Sequence, residues 1–293
     1  MPAFGQLVIG PAGSGKSTFC QLVSEHCENV KRRVHVVNLD PAAEEFYYPC
    51  AVDIRDLVSL DDVMEELQLG PNGGLVYCME YLVDHLDWLE DELCEVVGST
   101  GSGDEYVLFD LPGQIELFSH RDLLKRVVSF LQQTFDYRIC CVYIMDSQFV
   151  TDVNKFLSGC LVGLSSMVQL ELPHVSILSK CDLVRPKGAI DDFLDAGPRE
   201  LASTLGSNLS GTGFQRFASL NRALGDLLED YGMVTFLPLD PTEEESVSDL
   251  LNQIDHAIQY GEDLEPKDPQ DPDMEPGPDA RGLGAFGAGG TLS

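Results

Sequence analysis

Residues 10–18 read Gly-Pro-Ala-Gly-Ser-Gly-Lys-Ser-Thr, the spacing G-x-x-x-x-G-K-[ST], with the apolar run QLVIG before it and the helix-like stretch FCQLV after it. Few short patterns restrict a fold as tightly, because this one works only as strand, tight loop and helix N-terminus in succession. Its glycines let backbone N–H groups curl around an anion, and the following helix adds partial positive charge at its first turn. Gly13, Ser14, Gly15, Lys16, Ser17 and Thr18 are therefore candidate phosphate-binding residues. Lys16 is placed to reach the outer phosphates of a nucleoside triphosphate, and the Ser17 hydroxyl to sit on Mg²⁺.

The remaining chain agrees with that start. Apolar runs rich in Val, Ile and Phe at 7–9, 34–39, 106–109, 139–145, 175–178 and 234–237 predict buried strands. Stretches with helical spacing lie between or after them, at 19–30, 75–97, 123–134, 153–170, 214–228 and 247–258. Alternating strand and helix predicts an α/β fold with a doubly wound, mostly parallel sheet and helical insertions, binding ligands at the carboxyl ends of its strands. Residues 185–213, rich in Gly, Ser and Asp, are expected to form a surface insertion with one short helix. From Gly261 onward, five prolines and seven glycines with few large apolar side chains predict a disordered acidic tail. The expected layout is one domain over 1–260 and a tail over 261–293.

Lys and Arg number 18 against 49 Asp and Glu, a formal charge of −31. The tail holds eight acidic and two basic residues, so −25 belongs to the body. Such acidity disfavours broad contact with nucleic acid or anionic lipid, since phosphate backbones and lipid headgroups need cations to dock. Nine cysteines with no C-x-x-C spacing suggest neither a disulfide frame nor a zinc site, and a reducing compartment, cytosol or nucleus, is expected.

Two further strand ends carry chemistry. After YVLF comes Asp110-Leu-Pro-Gly113-Gln114. An aspartate there can hold the magnesium shell, often through water, while the Gly113 backbone N–H can sense a γ-phosphate. After HVSIL comes Ser179-Lys180-Cys181-Asp182. Asp182 can accept from the guanine N1–H and exocyclic amine, whereas adenine has no N1 donor and would leave the carboxylate unpaired. Lys180 can lay its aliphatic stem over a purine. Cys181 is expected only to pack.

With these motifs stand VVNLDPAAE at 36–44, LGPNGGLVYCMEYL around Gly70-Pro71-Asn72, DLPGQIEL, MDSQF and SKCD. Together they resemble the GPN-loop GTPase family over about residues 6–265, and the carboxyl end is most similar to its third eukaryotic paralogue. The resemblance implies a dimeric GTPase of the SIMIBI class, alongside the signal-recognition-particle GTPases and MinD-like ATPases, using Mg²⁺ with GTP as substrate and GDP as product. It also implies pairing with the first paralogue, or a homodimer. The role implied is in RNA polymerase II assembly and nuclear import, from a cytoplasmic location with shuttling to the nucleus. Carried over by position, Asp40 and Gln114 orient the attacking water and Glu116 assists from behind. Gly70, Pro71 and Asn72 form the family loop, with the Asn72 amide reaching across the dimer to the partner's nucleotide. Read from residues alone, Gly-Pro-Asn-Gly-Gly is a strong turn signal.

Trp88, Tyr77, Tyr81 and Phe118 are expected to fill core or interface, and the six scattered histidines to hold no metal. Glu80, Asp84, Asp87, Glu90, Asp91 and Glu92 read as a solvated acidic helix face, or more sharply as a docking surface for a basic partner. Two rivals to a GTP hydrolase stay open. One is a module that holds GTP mainly to stabilise a heterodimer; the other is a P-loop kinase, disfavoured because no Arg-rich lid is recognisable.

Overall fold

Seven parallel strands in the order β3-β2-β4-β1-β5-β6-β7 make one sheet. They are β1 Ala3–Ile9, β2 Val34–Asn38, β3 Cys50–Asp53, β4 Tyr106–Asp110, β5 Tyr137–Asp146, β6 His174–Ser179 and β7 Phe236–Pro238. The structure, a computed structural model, describes residues 3–98, 106–119, 122–184, 215–231 and 235–262, with positions 190, 194–197 and 199–202 between. The predicted tail beyond 262 and most of the predicted insertion at 185–213 lie outside the described residues, as do positions 214 and 234.

Both faces of the sheet are apolar, which is why its strands read as unbroken hydrophobic runs. Because side chains alternate along a strand, Leu7, Ile9, Cys141, Tyr143 and Met145 enter one buried layer while Phe4, Val8, Cys140, Val142 and Ile144 enter the other. The first layer is covered by α3 Pro71–Asp84, α4 Leu86–Gly98, α5 Ile115–Ser119, α6 Leu123–Phe135 and α7 Val153–Leu170, whose Met79, Leu93, Leu117, Val127 and Phe156 are buried there. The second is covered by α1 Lys16–Asn29 and α9 Glu244–Ile258, through Phe19, Val23, Leu250 and Ile254. Two further helices are α2 Leu60–Leu67 and α8 Gln215–Asp230.

Three local features differ from the sequence expectation. The helix predicted over 75–97 is two, broken at His85, whose backbone (φ −125°, ψ 45°) leaves the helical region. His85 Nδ1 lies 2.8 Å from the Tyr81 carbonyl oxygen and its ring stacks on Tyr81 at 4.0 Å, a side-chain alternative to the helical ladder. The Gly-Pro-Asn-Gly-Gly turn signal instead opens α3: Gly70 is the cap, Pro71 takes the first position, where no N–H is needed, and the Gly74 amide donates to the Gly70 carbonyl. Gly74 is there for packing, since a Cβ would lie 2.7 Å from Leu60 of α2. The short elements β3, α2 and α5 fall below the window in which periodicity speaks. Trp88 and Phe118 pack with the core, Tyr77 stacks on Tyr81 at 6.4 Å, and Glu80, Asp84, Asp87 and Asp91 are exposed.

One polar cluster ties α9 to the turn that follows α1. Arg32, just after α1, donates to both oxygens of Asp255 on α9 at 2.6 and 2.9 Å. Its guanidinium packs over both the Tyr106 and Tyr260 rings, 4.1 and 3.9 Å from their centroids, and the Gln6 amide donates to the Tyr106 hydroxyl at 2.7 Å. Removing one member of a largely buried pair leaves the other charge stranded, so Arg32→Met is expected to cost about 3 kcal/mol. Urea unfolding measures it.

His174 gives a pH prediction. Both ring nitrogens are buried with no hydrogen-bond partner among the described residues, and burial depresses its pKa from 6.5 to about 4. Between those values the unfolded chain binds a proton that the folded chain does not, so this contribution is intact above pH 6.5 and is lost as pH falls toward 4. Urea unfolding at pH 7 and pH 5 is expected to show His174→Leu losing about 2 kcal/mol less than the wild type over that interval.

Candidate functional site

Strand register places the chemistry. Asn38 of β2 pairs level with Asp110 of β4, Asp110 with Val8 of β1, and Asp146 of β5 with Ser179 of β6. All the candidate loops therefore leave the sheet along one edge. At its centre the chain turns from β1 into the loop that ends at Gly15, which caps α1 with left-handed backbone (φ 92°, ψ 25°) that only glycine adopts without strain. Gly13, Ser14, Gly15, Lys16, Ser17 and Thr18 form this loop and the first turn of the helix.

Lys16 is buried, and its ammonium donates to the Pro11 carbonyl at 3.3 Å. Burial lowers its pKa, with Asp110 and Asp40 pulling it back up. The Asp110 carboxyl is buried too, and burial raises its pKa against the opposing pull of the Ser17 and Tyr48 hydroxyls and Lys16. Tyr48 donates to Asp110 Oδ2 at 2.9 Å, whereas Oδ1 has no hydrogen-bond partner among the described residues. Asp40 is likewise raised, first by burial, while its Oδ1 accepts from the Ala42 amide at 2.9 Å. Asn38 fixes the turn behind it, accepting from the Asp40 amide at 3.1 Å and donating to Asp53 at 2.9 Å. This donor set fits Mg²⁺: Ser17 and Asp110 offer hard oxygens, and the orphaned Oδ1 is a buried acceptor that a cation would satisfy. Among the described residues no group of three or more His, Cys, Asp or Glu side chains forms a metal cluster by itself.

Gly113 lies against the phosphate loop. A Cβ there would come 2.6 Å from Ala12 Cα and 2.9 Å from Lys16 Nζ, so only glycine allows the two loops to meet. Gln114, next along, donates from Nε2 to Asn72 Oδ1 at 3.0 Å, joining the Gly70-Pro71-Asn72 segment to this loop within one chain. That bond leaves the Asn72 NH₂ group available to another acceptor. Glu116 is exposed on α5.

The third loop closes the site on its other side. The Ser179 hydroxyl bridges two carbonyls, Ser14 at 2.6 Å and Met145 at 3.2 Å, tying the end of β6 to the phosphate loop. Lys180 has left-handed backbone (φ 58°), and its ammonium donates to Gly13 O and Asp146 Oδ2, both at 2.7 Å. Cys181 is buried with its thiol toward the Leu178 carbonyl, a packing role. Asp182 lines a cavity of about 190 Å³ together with Lys180, Thr18, Phe19, Leu239 and Pro241. Sequence reasoning missed three contributors: Tyr48, Leu239 and Pro241. The last two follow β7 at the same sheet edge, and the strand-then-Pro pattern FLPLDP was their only signal.

Comparison with known proteins follows the same lines. A protein-family model described as a conserved hypothetical ATP binding protein matches residues 8–260. Relatives named GPN-loop GTPase 3 include one from Dictyostelium discoideum, 51% identical over 267 residues and 90% of each chain. One from Danio rerio is 49% identical, covering 94% of this chain and 95% of its own. One from Mycosarcoma maydis is 46% identical, covering 93% and 98%. A crystal structure of a GTPase in apo form from Pyrococcus abyssi shares the fold, with a TM-score of 0.68 at 23% identity over 87% of this chain and 97% of that one.

The Ser179 bridge yields a prediction. Ser179→Ala removes the single hydroxyl proton shared between the Ser14 and Met145 carbonyls, 2.6 and 3.2 Å away, and is expected to weaken nucleotide binding about tenfold, with Ser179→Thr retaining most of it. Titration with a fluorescent nucleotide measures both.

Proposed function

The chain belongs to the GPN-loop GTPase family, and from that premise we propose that it binds and hydrolyses GTP to GDP and phosphate in a nucleotide-dependent dimer. The observation that carries the reading is the Ser179 bridge. It joins the cavity beside Asp182 to the phosphate loop, so one ligand with a purine and a phosphate chain suits both. A carboxylate at the base favours guanine over adenine, because only guanine offers donors to both carboxylate oxygens. That argument favours GTP over the ATP in the matched family model's description.

Catalysis here is positioning and charge stabilisation. The loop amides and Lys16 hold the β- and γ-phosphates, and the Lys16 ammonium exchanges its Pro11 carbonyl for phosphate oxygen. Ser17 and Asp110 would hold Mg²⁺, which when bound would supply charge to neutralise the phosphate chain. Asp40, raised by burial, is a better proton acceptor than an exposed aspartate, and with Gln114 it orients the attacking water. Asn72, anchored through its Oδ1, presents its amide N–H to the partner's phosphates, the place that an arginine finger takes elsewhere. Glu116 is proposed to assist the water from behind.

The same proposal makes the first family paralogue the partner, with a homodimer as the other arrangement. It places the pair in RNA polymerase II assembly and nuclear import, working in the cytoplasm and shuttling to the nucleus. What supports this part is similarity to the third paralogue alone. Among the described residues no helix is long and apolar enough to cross a membrane.

Nucleotide titration is the test. Wild type is expected to prefer GTP to ATP by at least about a hundredfold, Asp182→Ala to abolish that preference and Lys16→Ala to lose both nucleotides. Gln114→Leu is expected to bind GTP normally and turn it over at least about tenfold more slowly. Equal affinity of the wild type for ATP and GTP refutes the base-site reading. For Asn72, hydrolysis is followed in a mixture of Asn72→Ala chains with partner chains unable to bind nucleotide; undiminished turnover excludes action across the dimer.

A further inference from the structure

The segment between β2 and β3 does more than connect them. It is pinned along its length: Arg55 donates to Asp53 at 2.8 Å and to the Ala43 carbonyl at 2.8 Å, and its guanidinium lies over the Phe46 ring at 4.4 Å. Phe46 in turn packs on Tyr48, with ring centroids 5.5 Å apart. Tyr48 is 5% exposed, and its hydroxyl is delivered to Asp110, 62 positions later in the chain, at 2.9 Å. Asp110 is itself 2% exposed and presents one oxygen with this donor and one with none among the described residues.

We propose that Tyr48 is a positioning residue for the magnesium shell: its hydroxyl fixes Oδ2 of Asp110 and so keeps Oδ1 turned out for the cation and its water. The inference rests on the magnesium reading given above. A neutral O–H suits the task for a physical reason. It restrains the rotation of the carboxylate and satisfies one lone pair, yet leaves the full negative charge to attract the ion, whereas a lysine or arginine in its place would cancel that charge. A phenol is also the right length to span from a connecting segment into the sheet while keeping its ring in the apolar layer with Phe46.

The experiment uses the full chain and a fluorescent GDP, titrated with Mg²⁺ at fixed protein, and separately measures GDP affinity in EDTA. Tyr48→Phe removes the hydroxyl and keeps the ring. It is expected to raise the Mg²⁺ concentration at half-effect about tenfold, the size of one lost hydrogen bond to a charged group, and to leave affinity in EDTA within about twofold. On an Asp110→Asn background the same substitution is expected to change nothing further. An unchanged Mg²⁺ half-effect, an equal fall in affinity with and without Mg²⁺, or additive losses in the double variant would each overturn the proposal. Should Tyr48→Phe alone fail to fold, recovery of a folded chain on the Asp110→Asn background supports it, and failure of both overturns it. A wild type indifferent to Mg²⁺ sinks the underlying magnesium reading instead, so the two failures are distinguishable.

Discussion

The site depends on parallel backbone ladders whose carboxyl ends all face one way. Asn38, Asp110 and Val8 sit side by side across three strands; the next two, β5 and β6, run on past the level of Val8, which pairs with Val142, to Asp146 beside Ser179. Parallel pairing makes every strand deliver its outgoing loop to the same edge, so five loops from distant parts of the sequence converge without any contact having to be arranged individually. A shift of one residue in any pair would exchange that strand's side chains between two differently packed buried layers, which locks the register.

Convergence brings charge into a dry place. Lys16, Asp110 and Asp40 sit among buried strand ends, and burial pushes each away from its charged form while each opposite charge pulls it back. A buried groove holding one ammonium and two carboxyl groups in this balance is sensitive to any charge a ligand brings into it. The chain's formal charge of −31 is compatible with binding a polyanion for this reason. In the proposed reading the phosphates would meet the Lys16 ammonium and backbone amides in a local pocket, away from the acidic exterior.

Much of this was legible beforehand because the signals are local. The spacing from Gly10 to Thr18, the aspartate closing YVLF and the Ser179–Asp182 cluster each lie within nine residues, and each follows a strand that its own apolar run announces. What stayed hidden acts through space. Tyr48 meets Asp110 across 62 positions, and Leu239 and Pro241 complete the cavity beside Asp182 only because β7 pairs with β6. The opening of α3 was hidden by a different ambiguity: Gly, Pro and Asn are turn formers and also suit a helix start, and Gly74 is decided by α2 packing on it, which spacing cannot reveal. The break at His85 likewise arises from a ring stacking on Tyr81 and overrides an otherwise continuous helical period.

The Arg32–Asp255 latch bears on how the chain is made. One whole face of the central strands, including Phe4, Val8, Val142 and Ile144, is roofed jointly by α1 and α9. While the chain is being synthesised, every strand of the sheet is complete before α9 emerges, so a broad apolar surface must wait without its cover. A chain that has made these strands but not yet α9 is thus open to wrong association along this face, and α9, drawn in by an arginine beside Tyr106, is the element that closes it.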